Sequence, residues 1–408
     1  MPPDAATPII LEPQSRVDAL LAALAPERWP IRVQDLPKGT ALVGGAVRDA
    51  LLGRLRQQPD LDLVVPDGAL PLSRQLAASL GGSVVVLDEE RDMARLVLHG
   101  WTIDIASCDG PSLETDLQRR DFRLNAIALP LQPAGDLIDP TGGLQDLLGG
   151  TLVAVCETNL TDDPLRLLRG LRLMAEIPLQ LEPQTAQWIA LHRGRLTTAA
   201  PERILSELQR LVAAPWADEA LTLLQRLGLL GPWQDASNGW DQPPAASQAA
   251  DMSASERSLA LPLARLAYLT SDDGLKRLKA SKKLTQRCQR LRHWTRKMSG
   301  NPDKLSEQGR LALHSELEHD LPALILGCPT QLRAEWLSRW RDANDPLFHP
   351  ASPLNGSTLQ TKLGLKPGPA LGQLIEHLRC ERAFHRISGE TSALVAAQHW
   401  CSLLSDLL

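Results

Sequence analysis

Strand-type sequence is confined to the first part of this chain, and this limits the folds open to it. Short apolar runs of β type occur between residues 40 and 155 and alternate with helical stretches. After Thr161 these runs end, and leucine recurs at three- and four-residue spacing, which is typical of amphipathic helices. We therefore predict an α+β fold, in which an N-terminal head with a small mixed β-sheet is followed by an all-helical remainder.

The sequence divides into five parts. A Pro-rich N-terminal extension carries one predicted helix, from Val17 to Leu24. A later stretch is rich in Pro, Ser, Ala, Gln and Asp, so we expect a linker or mobile loop there. The predicted parts are the extension 1–37, the head 38–155, a helical neck 156–231, the linker 232–258 and a helical body and tail 259–408.

Charge and cysteine content exclude several classes of protein. With 43 basic and 48 acidic residues the formal net charge is −5, so a nucleic-acid partner has to meet a local basic patch. The 6 cysteines include no CxxC pair, which excludes zinc ribbons and thioredoxin-type sites. The N-terminus lacks the basic region of a signal peptide, and no uncharged apolar run reaches the ~18 residues of a membrane span. We therefore expect a cytoplasmic protein with reduced thiols and no membrane contact.

A Gly-Gly pair lies within residues 41–65, a segment that reads as strand, turn, helix, loop and strand. Gly44 and Gly45 allow a tight turn that presents backbone N–H groups at a helix start, where an anion can bind. Arg48 follows one helical turn later, within reach of a phosphate. A Gly-Gly pair before a helix is usually only a turn, so the phosphate site is a hypothesis at this point.

Three aspartates in strand-like segments form the candidate catalytic set. Asp60 and Asp62 alternate with leucines, so on a strand their carboxylates share one face. Two neighbouring anions repel each other unless a cation joins them, and Mg²⁺ prefers carboxylate oxygens, water and phosphates. Asp104 lies between two isoleucines in an apolar strand, where an aspartate is costly unless it is paired or metal-bound. The alternative is a solvated strand face.

Two adjacent arginines, Arg119 and Arg120, precede Asp121 and a buried apolar run, LNAIAL. Two guanidinium groups side by side suit the negative charge of a triphosphate. The alternative is a solvated helix end, with Asp121 as a cap.

A helix that begins near Pro164 offers a base-recognition pair, Asp163 and Arg166. A carboxylate that accepts from an amino group, beside a guanidinium that donates to a ring nitrogen, suits cytosine and adenine and opposes uracil and guanine. The alternative is a plain ion pair between neighbours on the helix surface. Arg172 lies well round the helix from Asp163, so it serves packing or a phosphate instead.

The order and spacing of these motifs resemble the class II tRNA nucleotidyltransferases and the related bacterial poly(A) polymerases. The resemblance covers about residues 38–215. The motifs that carry it are GGAVRD (44–49), DLD (60–62), RRDFRLNAIAL (119–129), IDPTGG (138–143), DDPLRLLRGLR (162–172) and PERILSELQRL (201–211).

The resemblance implies transfer of a nucleotidyl group from CTP or ATP to the 3′ end of tRNA, with pyrophosphate released. It implies Mg²⁺ held by Asp60 and Asp62, with Asp104 as a third catalytic carboxylate. It also implies a head, neck, body and tail, and it does not imply a protein partner. The nucleotide-binding residues carried over are Gly44, Gly45, Arg48, Arg120, Asp163, Arg166, Arg169 and Arg172.

The sequence departs from the family pattern at three places. Arg123 stands where Thr is usual and Asp162 where Glu is usual, and both changes are tolerable. Members that add a complete CCA carry a long flexible loop after the third carboxylate, whereas this chain has only the short connection 105–112. This favours a product that ends in CC, although addition of AMP stays open.

A basic segment, residues 274–298, contains ten Lys or Arg residues and no Asp or Glu. We predict that it binds the tRNA backbone, whereas the alternative is a solvated basic helix. The candidate RNA-binding residues are Lys276, Lys279, Lys282, Lys283 and Arg287.

Two other functions stay open at this stage. A poly(A) polymerase shares the motifs of the head, and a non-catalytic RNA-binding relic could share its fold. The intact Asp60 and Asp62 pair argues against the relic.

Overall fold

The computed structural model describes residues 13–234, 240, 242–298 and 305–405, which form two compact units. The first unit comprises Met1–Arg203 and Ala214–Leu229, and the second comprises Ile204–Ala213 and Leu230–Leu408. Within the described ranges, no helix is both long and apolar enough to cross a membrane.

The first unit contains a six-stranded mixed sheet, which confirms the α+β prediction. Its strand order is β3-β4-β5-β2-β1-β6, with β2 and β5 parallel and the other neighbours antiparallel. A separate pair, β7 and β8, is parallel. The strands are β1 (Thr40–Val43), β2 (Leu61–Val65), β3 (Ser83–Asp88), β4 (Met93–Leu98), β5 (Trp101–Ser107), β6 (Ala128–Gln132), β7 (Thr151–Leu152) and β8 (Gln180–Leu181).

Helices surround this sheet and continue the chain beyond it. Their apolar faces explain the leucine spacing in the sequence, since leucines of α7 and α10 are buried. The helices up to residue 226 are α1 (Pro13–Leu24), α2 (Gly45–Leu51), α3 (Ala69–Leu80), α4 (Leu113–Gln118), α5 (Gly143–Leu148), α6 (Glu157–Asp162), α7 (Leu165–Glu176), α8 (Pro183–His192), α9 (Pro201–Ala213) and α10 (Ala217–Arg226).

All the regular secondary structure in the described residues of the second unit is helical. It includes a cluster of buried apolar side chains, among them Leu359, Leu374 and Leu378, near the C-terminus. Its later helices are α11 (Ala254–Leu269), α12 (Asp272–Arg277), α13 (Lys282–Met298), α14 (Glu307–Leu317), α15 (Leu321–Ile325), α16 (Thr330–Arg341), α17 (Gly356–Leu363), α18 (Pro369–Ala383) and α19 (Gly389–Ser405).

The structure describes only part of the predicted linker 232–258. Residues 235–239 and 241 lie outside the described residues. Ser253 caps α11 by accepting from the Glu256 N–H, so that helix begins inside the predicted linker. The extension helix is α1, which runs to Leu24 as predicted, while residues 1–12 are not described.

The apolar run 95–106 is a hairpin and not one strand. His99 and Gly100 have φ angles of 49° and 83°, so the chain reverses between Leu98 and Trp101. This reversal places β4 antiparallel beside β5 and brings Arg95 opposite Asp104. The short apolar run LIDP (137–140) forms no strand and contributes only a single bridge, from Ile138 to Ala128.

Candidate active site

A row of side chains crosses one face of the sheet where β4, β5, β2 and β1 lie side by side. The register pairs Arg95 with Asp104, Asp104 with Asp62, and Asp62 with Val43. Paired residues on neighbouring strands point to the same face, and adjacent strands lie ~4.8 Å apart. The parallel pairing of β2 with β5 therefore brings Asp62 and Asp104 together. The flanking leucines of Asp62, Leu61 and Leu63, are buried.

The Asp62 carboxylate lies directly beneath the Gly-Gly turn. Gly44 has a φ angle of 72°, and a Cβ atom there would lie 2.9 Å from Asp62 Oδ2. Only glycine therefore fits both the backbone and the space at this position. The backbone N–H of Gly45 donates to the Asp62 carboxylate. The turn predicted from the sequence thus packs on one of the predicted catalytic carboxylates.

The environment of Asp62 favours the neutral acid when no cation is present. Burial raises the pKa of Asp62 to about 6, and the nearby charges of Asp104 and Asp60 act in the same direction. Arg120 and the Gly45 N–H oppose this rise. Asp60 precedes β2 directly and is exposed. A cation beside Asp62 would favour the carboxylate and lower this pKa.

The donor set suits Mg²⁺ bound through few protein ligands. In the described part of the chain, no group of three or more His, Cys, Asp or Glu side chains is arranged to hold a metal ion. Both oxygens of Asp104 accept hydrogen bonds from Arg95, which leaves Asp60 and Asp62 as the candidate ligands. Mg²⁺ is commonly bound by one or two carboxylates, with water and substrate phosphates completing its shell. The residues present therefore fit this ion.

Asp62→Asn is expected to stabilise the metal-free protein in a pH-dependent way. The folded-state pKa of about 6 lies above the ordinary value of 3.8. The stability that Asp62 contributes is therefore fully present below about pH 4 and is lost as the pH rises through 6. Asparagine mimics the neutral acid, so the variant should gain up to about 3 kcal/mol in unfolding free energy at pH 8 and almost nothing at pH 4.

Urea unfolding in EDTA at both pH values measures this difference. An equal gain in unfolding free energy at pH 4 and pH 8 would contradict the raised pKa of Asp62.

Arg48 and Arg169 are joined through two polar side chains. Arg48 Nη1 donates to Asn125 Oδ1 at 2.7 Å, and Asn125 Nδ2 donates to Asp121 Oδ1 at 3.0 Å. Arg169 Nη1 donates to the other oxygen of Asp121 at 3.2 Å. Asp49 also accepts from Arg48, at 2.9 Å. These contacts orient one guanidinium from α2 and one from α7.

Asp121 is an internal anion and not the solvated cap that the alternative interpretation expects. Its exposed fraction is 5%, and it also accepts from the Phe122 N–H. Burial raises the pKa of Asp121, but the charge of Arg169 and the hydrogen bond from Asn125 outweigh burial, and the net pKa is lowered. Asp121 therefore stays ionised between the two arginines.

The adjacent arginines point to different partners. Arg120 Nη2 donates to Asp116 Oδ2 at 3.0 Å, and its charge acts on Asp62. Arg119 pairs with Asp109 on the surface. The structure thus places Arg120 near the carboxylate row, whereas Arg119 belongs to an exposed pair.

Asp163 and Arg166 do not form the ion pair that was the alternative interpretation. Asp163 Oδ2 accepts from Arg203 Nη2 at 3.2 Å, and its other oxygen accepts from the Leu165 N–H. Arg166 Nη1 donates to the carbonyl oxygens of Arg119 and Asn159, at 2.9 Å each. The backbone of Asp163 is extended, so this residue lies outside α7 and the i,i+3 geometry of a helix does not apply.

The middle of α7 packs tightly on Phe122, which lies in the motif RRDFRLNAIAL. A Cβ atom at Gly170 would lie 2.7 Å from the Phe122 ring, so glycine permits this approach. Arg172 is buried and donates to Glu176 Oε2 at 2.6 Å, which fits the packing role that the sequence left open for it.

The basic segment 274–298 belongs to the second unit and is only partly a solvated surface. Arg292 is buried and Arg287 pairs with Asp320 at 2.7 Å. Lys276 pairs with Asp273 at 3.2 Å. The exposed basic residues of the segment are Lys276, Arg277, Lys279, Lys282, Lys283, Arg290, Arg296 and Lys297.

Comparison with known proteins places these observations in a family. A family model described as "Poly A polymerase head domain" matches residues 102–153, and one described as "Probable RNA and SrmB- binding site of polymerase A" matches residues 178–234. The CC-adding tRNA nucleotidyltransferase of Synechocystis sp. is 34% identical over 400 residues, which covers 91% of this chain and 96% of that protein. The chain belongs to the tRNA nucleotidyltransferase family.

A second relative of this nucleotidyltransferase matches a shorter part of the chain, whereas a solved structure matches almost all of it. The A-adding tRNA nucleotidyltransferase of Deinococcus radiodurans is 44% identical over 199 residues, 48% of this chain and 44% of that protein. The CCA-adding enzyme of Thermotoga maritima, solved with tRNA, has a TM-score of 0.68 at 20% identity and covers 96% of both chains. This likeness confirms the predicted fold over almost the whole nucleotidyltransferase.

Sequence reasoning missed four polar residues that support the site of this nucleotidyltransferase. Asn125 lies inside the motif RRDFRLNAIAL, so its position was a usable signal. Arg95 contacts Asp104 on the neighbouring strand, and Asp116 contacts Arg120 one helical turn away. Arg203 contacts Asp163 from a distant segment of the chain. Of these, only Asp116 has a partner close in sequence, Arg120 at i,i+4.

Proposed function

We propose that this nucleotidyltransferase transfers CMP from CTP to the 3′ end of tRNA, releases pyrophosphate and stops after the second cytidine. The observation that carries the CC product is the connection between β5 and α4, which consists of residues 108–112 alone. Completion of CCA requires the nucleotide pocket to reshape for adenine, and so short a connection offers no loop to do this. The likeness to a CC-adding relative over almost its whole length supports the same product.

Different residues of the head would bind the metal ion and the triphosphate. Asp60 and Asp62 would hold Mg²⁺, which when bound stabilises the charge on the phosphates and lowers the pKa of the attacking 3′ hydroxyl. Arg48 and the backbone of Gly44 and Gly45 bind the triphosphate, with Arg120 beside them. Because Asp49 and Asn125 already orient Arg48, little reorganisation is needed when the nucleotide binds.

The incoming base is read at the junction before α7. The Asp163 carboxylate accepts from the N4 amino group of cytosine, and Arg166 donates to N3. Uracil presents the opposite donor and acceptor order, so it would leave buried polar groups unpaired. Arg203 and the Leu165 N–H hold the Asp163 carboxylate in place. Arg169 is held beside them by Asp121.

The transfer itself is tested with purified protein, Mg²⁺, labelled CTP and tRNA that lacks its last three nucleotides. We expect two CMP residues and two pyrophosphates per tRNA. No incorporation from CTP would contradict the proposed function. A role on tRNA also supports the cytoplasm as the place of action.

A poly(A) polymerase is the second candidate, because both matching family models carry polymerase A in their descriptions. It would extend RNA with a long tail from ATP and would ignore CTP. The nucleotide used therefore separates the two functions.

The exposed lysines in the turn before α13 and at its first residues are proposed to hold the tRNA backbone. Reversing Lys279, Lys282 and Lys283 to glutamate is expected to weaken tRNA binding and to reduce the slope of log Kd against log salt by about two to three. Nucleotide choice should not change, since none of these lysines lies in the unit that holds Asp163.

Filter binding at several salt concentrations measures this slope. The matched control reverses Arg28, Lys38 and Arg91, which are exposed in the first unit and give the same change in net charge. A slope equal to that of the control would return the segment to a solvated basic helix.

A further inference from the structure

Arg95 and Asp104 form a two-pronged ion pair at the outer end of the carboxylate row. Arg95 Nε donates to Asp104 Oδ1 at 2.7 Å, and Arg95 Nη2 donates to Oδ2 at 2.8 Å. A guanidinium and a carboxylate in this parallel geometry are the strong form of the contact. Both oxygens of Asp104 are therefore engaged, and a metal ion could use them only beside a positive charge.

The charge of Arg95 also acts on the rest of the row. The pKa of Arg95 is raised, first by its hydrogen bond with Asp104 and then by the charges of Asp104, Asp60 and Asp62. The register explains this reach, because Arg95, Asp104 and Asp62 lie on three adjacent strands and share a face. The Arg95 guanidinium is therefore positioned to act as a resident cation beside three carboxylates.

We propose that Arg95 is the built-in counter-ion of the carboxylate row: it keeps Asp104 out of the metal-ligand set and limits the site to the charge of Asp60 and Asp62. This inference rests on the proposed metal site. It gives Asp104 a different task from that of a third ligand, namely to hold Arg95 against the row. Arg95 is then a positioning residue that sets how strongly the site attracts a divalent cation.

An ordinary surface pair is the competing explanation, because the Arg95 side chain is 44% exposed. Such pairs contribute about 0–1 kcal/mol to stability. On this explanation, removal of Arg95 would leave metal binding unchanged. Metal binding therefore separates the two explanations, and the small effect on stability means that variants at Arg95 should fold.

The test measures Mn²⁺ binding, by electron paramagnetic resonance of the free ion, to full-length protein without nucleotide or tRNA. Arg95→Gln is expected to bind Mn²⁺ roughly tenfold more tightly, because a positive charge in the same row as Asp62 is removed and Asp104 becomes available. Arg95→Lys keeps the charge and should stay within about threefold of the wild type. Adding Asp104→Asn to Arg95→Gln should reverse most of the gain.

Two controls keep the outcomes distinct. Arg91→Gln removes an exposed arginine that pairs with Asp88, and it should leave Mn²⁺ affinity unchanged. Asp62→Asn should abolish binding, and if it binds Mn²⁺ like the wild type, the proposed metal site itself is wrong. If Asp62→Asn loses binding while Arg95→Gln binds no more tightly than the wild type, the counter-ion role is overturned and the metal site stands.

Discussion

Asp62→Ala is expected to reduce CMP incorporation by at least about a thousandfold while tRNA affinity and the fold are retained. Asp62 is the half-buried member of the carboxylate row, directly under Gly44 and Gly45. A metal ion at such a site is worth several kcal/mol of transition-state stabilisation, and about 4 kcal/mol corresponds to a thousandfold in rate. Asp60→Ala should act in the same direction.

Single-turnover incorporation of labelled CMP measures the loss, and circular dichroism checks the fold. Asp67→Ala is the matched control, because Asp67 is an exposed aspartate in the loop that follows β2. If Asp62→Ala incorporates CMP at a rate within tenfold of the wild type, with the same dependence on Mg²⁺, Asp62 is not a metal ligand.

Asp163→Ala is expected to lower the preference for CTP over UTP by roughly ten- to a hundredfold, which exceeds its effect on turnover with CTP. The wild-type pocket rejects uracil because the wrong base leaves a donor or acceptor unpaired, at a cost of about 1–3 kcal/mol. Arg203→Ala should shift selectivity in the same direction, since Arg203 holds the Asp163 carboxylate.

The ratio of kcat/KM for the two nucleotides measures selectivity. Asp162→Ala is the neighbouring control, because Asp162 is exposed and should leave the ratio unchanged. A variant at Asp163 that is less stable yet equally selective would show that the contact with Arg203 is structural only.

Local pattern was sufficient to predict the elements that carry the site. Alternation of aspartate with leucine predicts a strand that carries Asp60 and Asp62 on one face. In the structure β2 begins at Leu61 and carries Asp62 between two buried leucines, whereas Asp60 lies just before the strand. The Gly-Gly pair predicts a turn before a helix, and the structure has that turn before α2. There the positive φ angle of Gly44 and the nearby Asp62 exclude a side chain. These features depend on neighbours in sequence, so sequence reveals them.

Contacts between distant segments could not be predicted in the same way. The parallel pairing of β2 with β5, which brings Asp62 beside Asp104, depends on the order of strands in the sheet. Arg95 meets Asp104 only because the chain reverses at His99 and Gly100, inside a run that reads as continuous strand. The ion pair between Asp163 and Arg166 is expected from their i,i+3 spacing on a helix. It does not form, because the backbone of Asp163 is extended and this residue lies outside α7.

The measurement that tests the central claim most directly is the 3′ sequence of tRNA after incubation with this enzyme, Mg²⁺, CTP and ATP together. The starting tRNA lacks its last three nucleotides, and each product is sequenced over a time course. We predict products that end in two cytidines and gain no adenosine with time. A terminal adenosine added as efficiently as the cytidines, or a tail of adenosines, would contradict the assignment of this protein as a CC-adding enzyme.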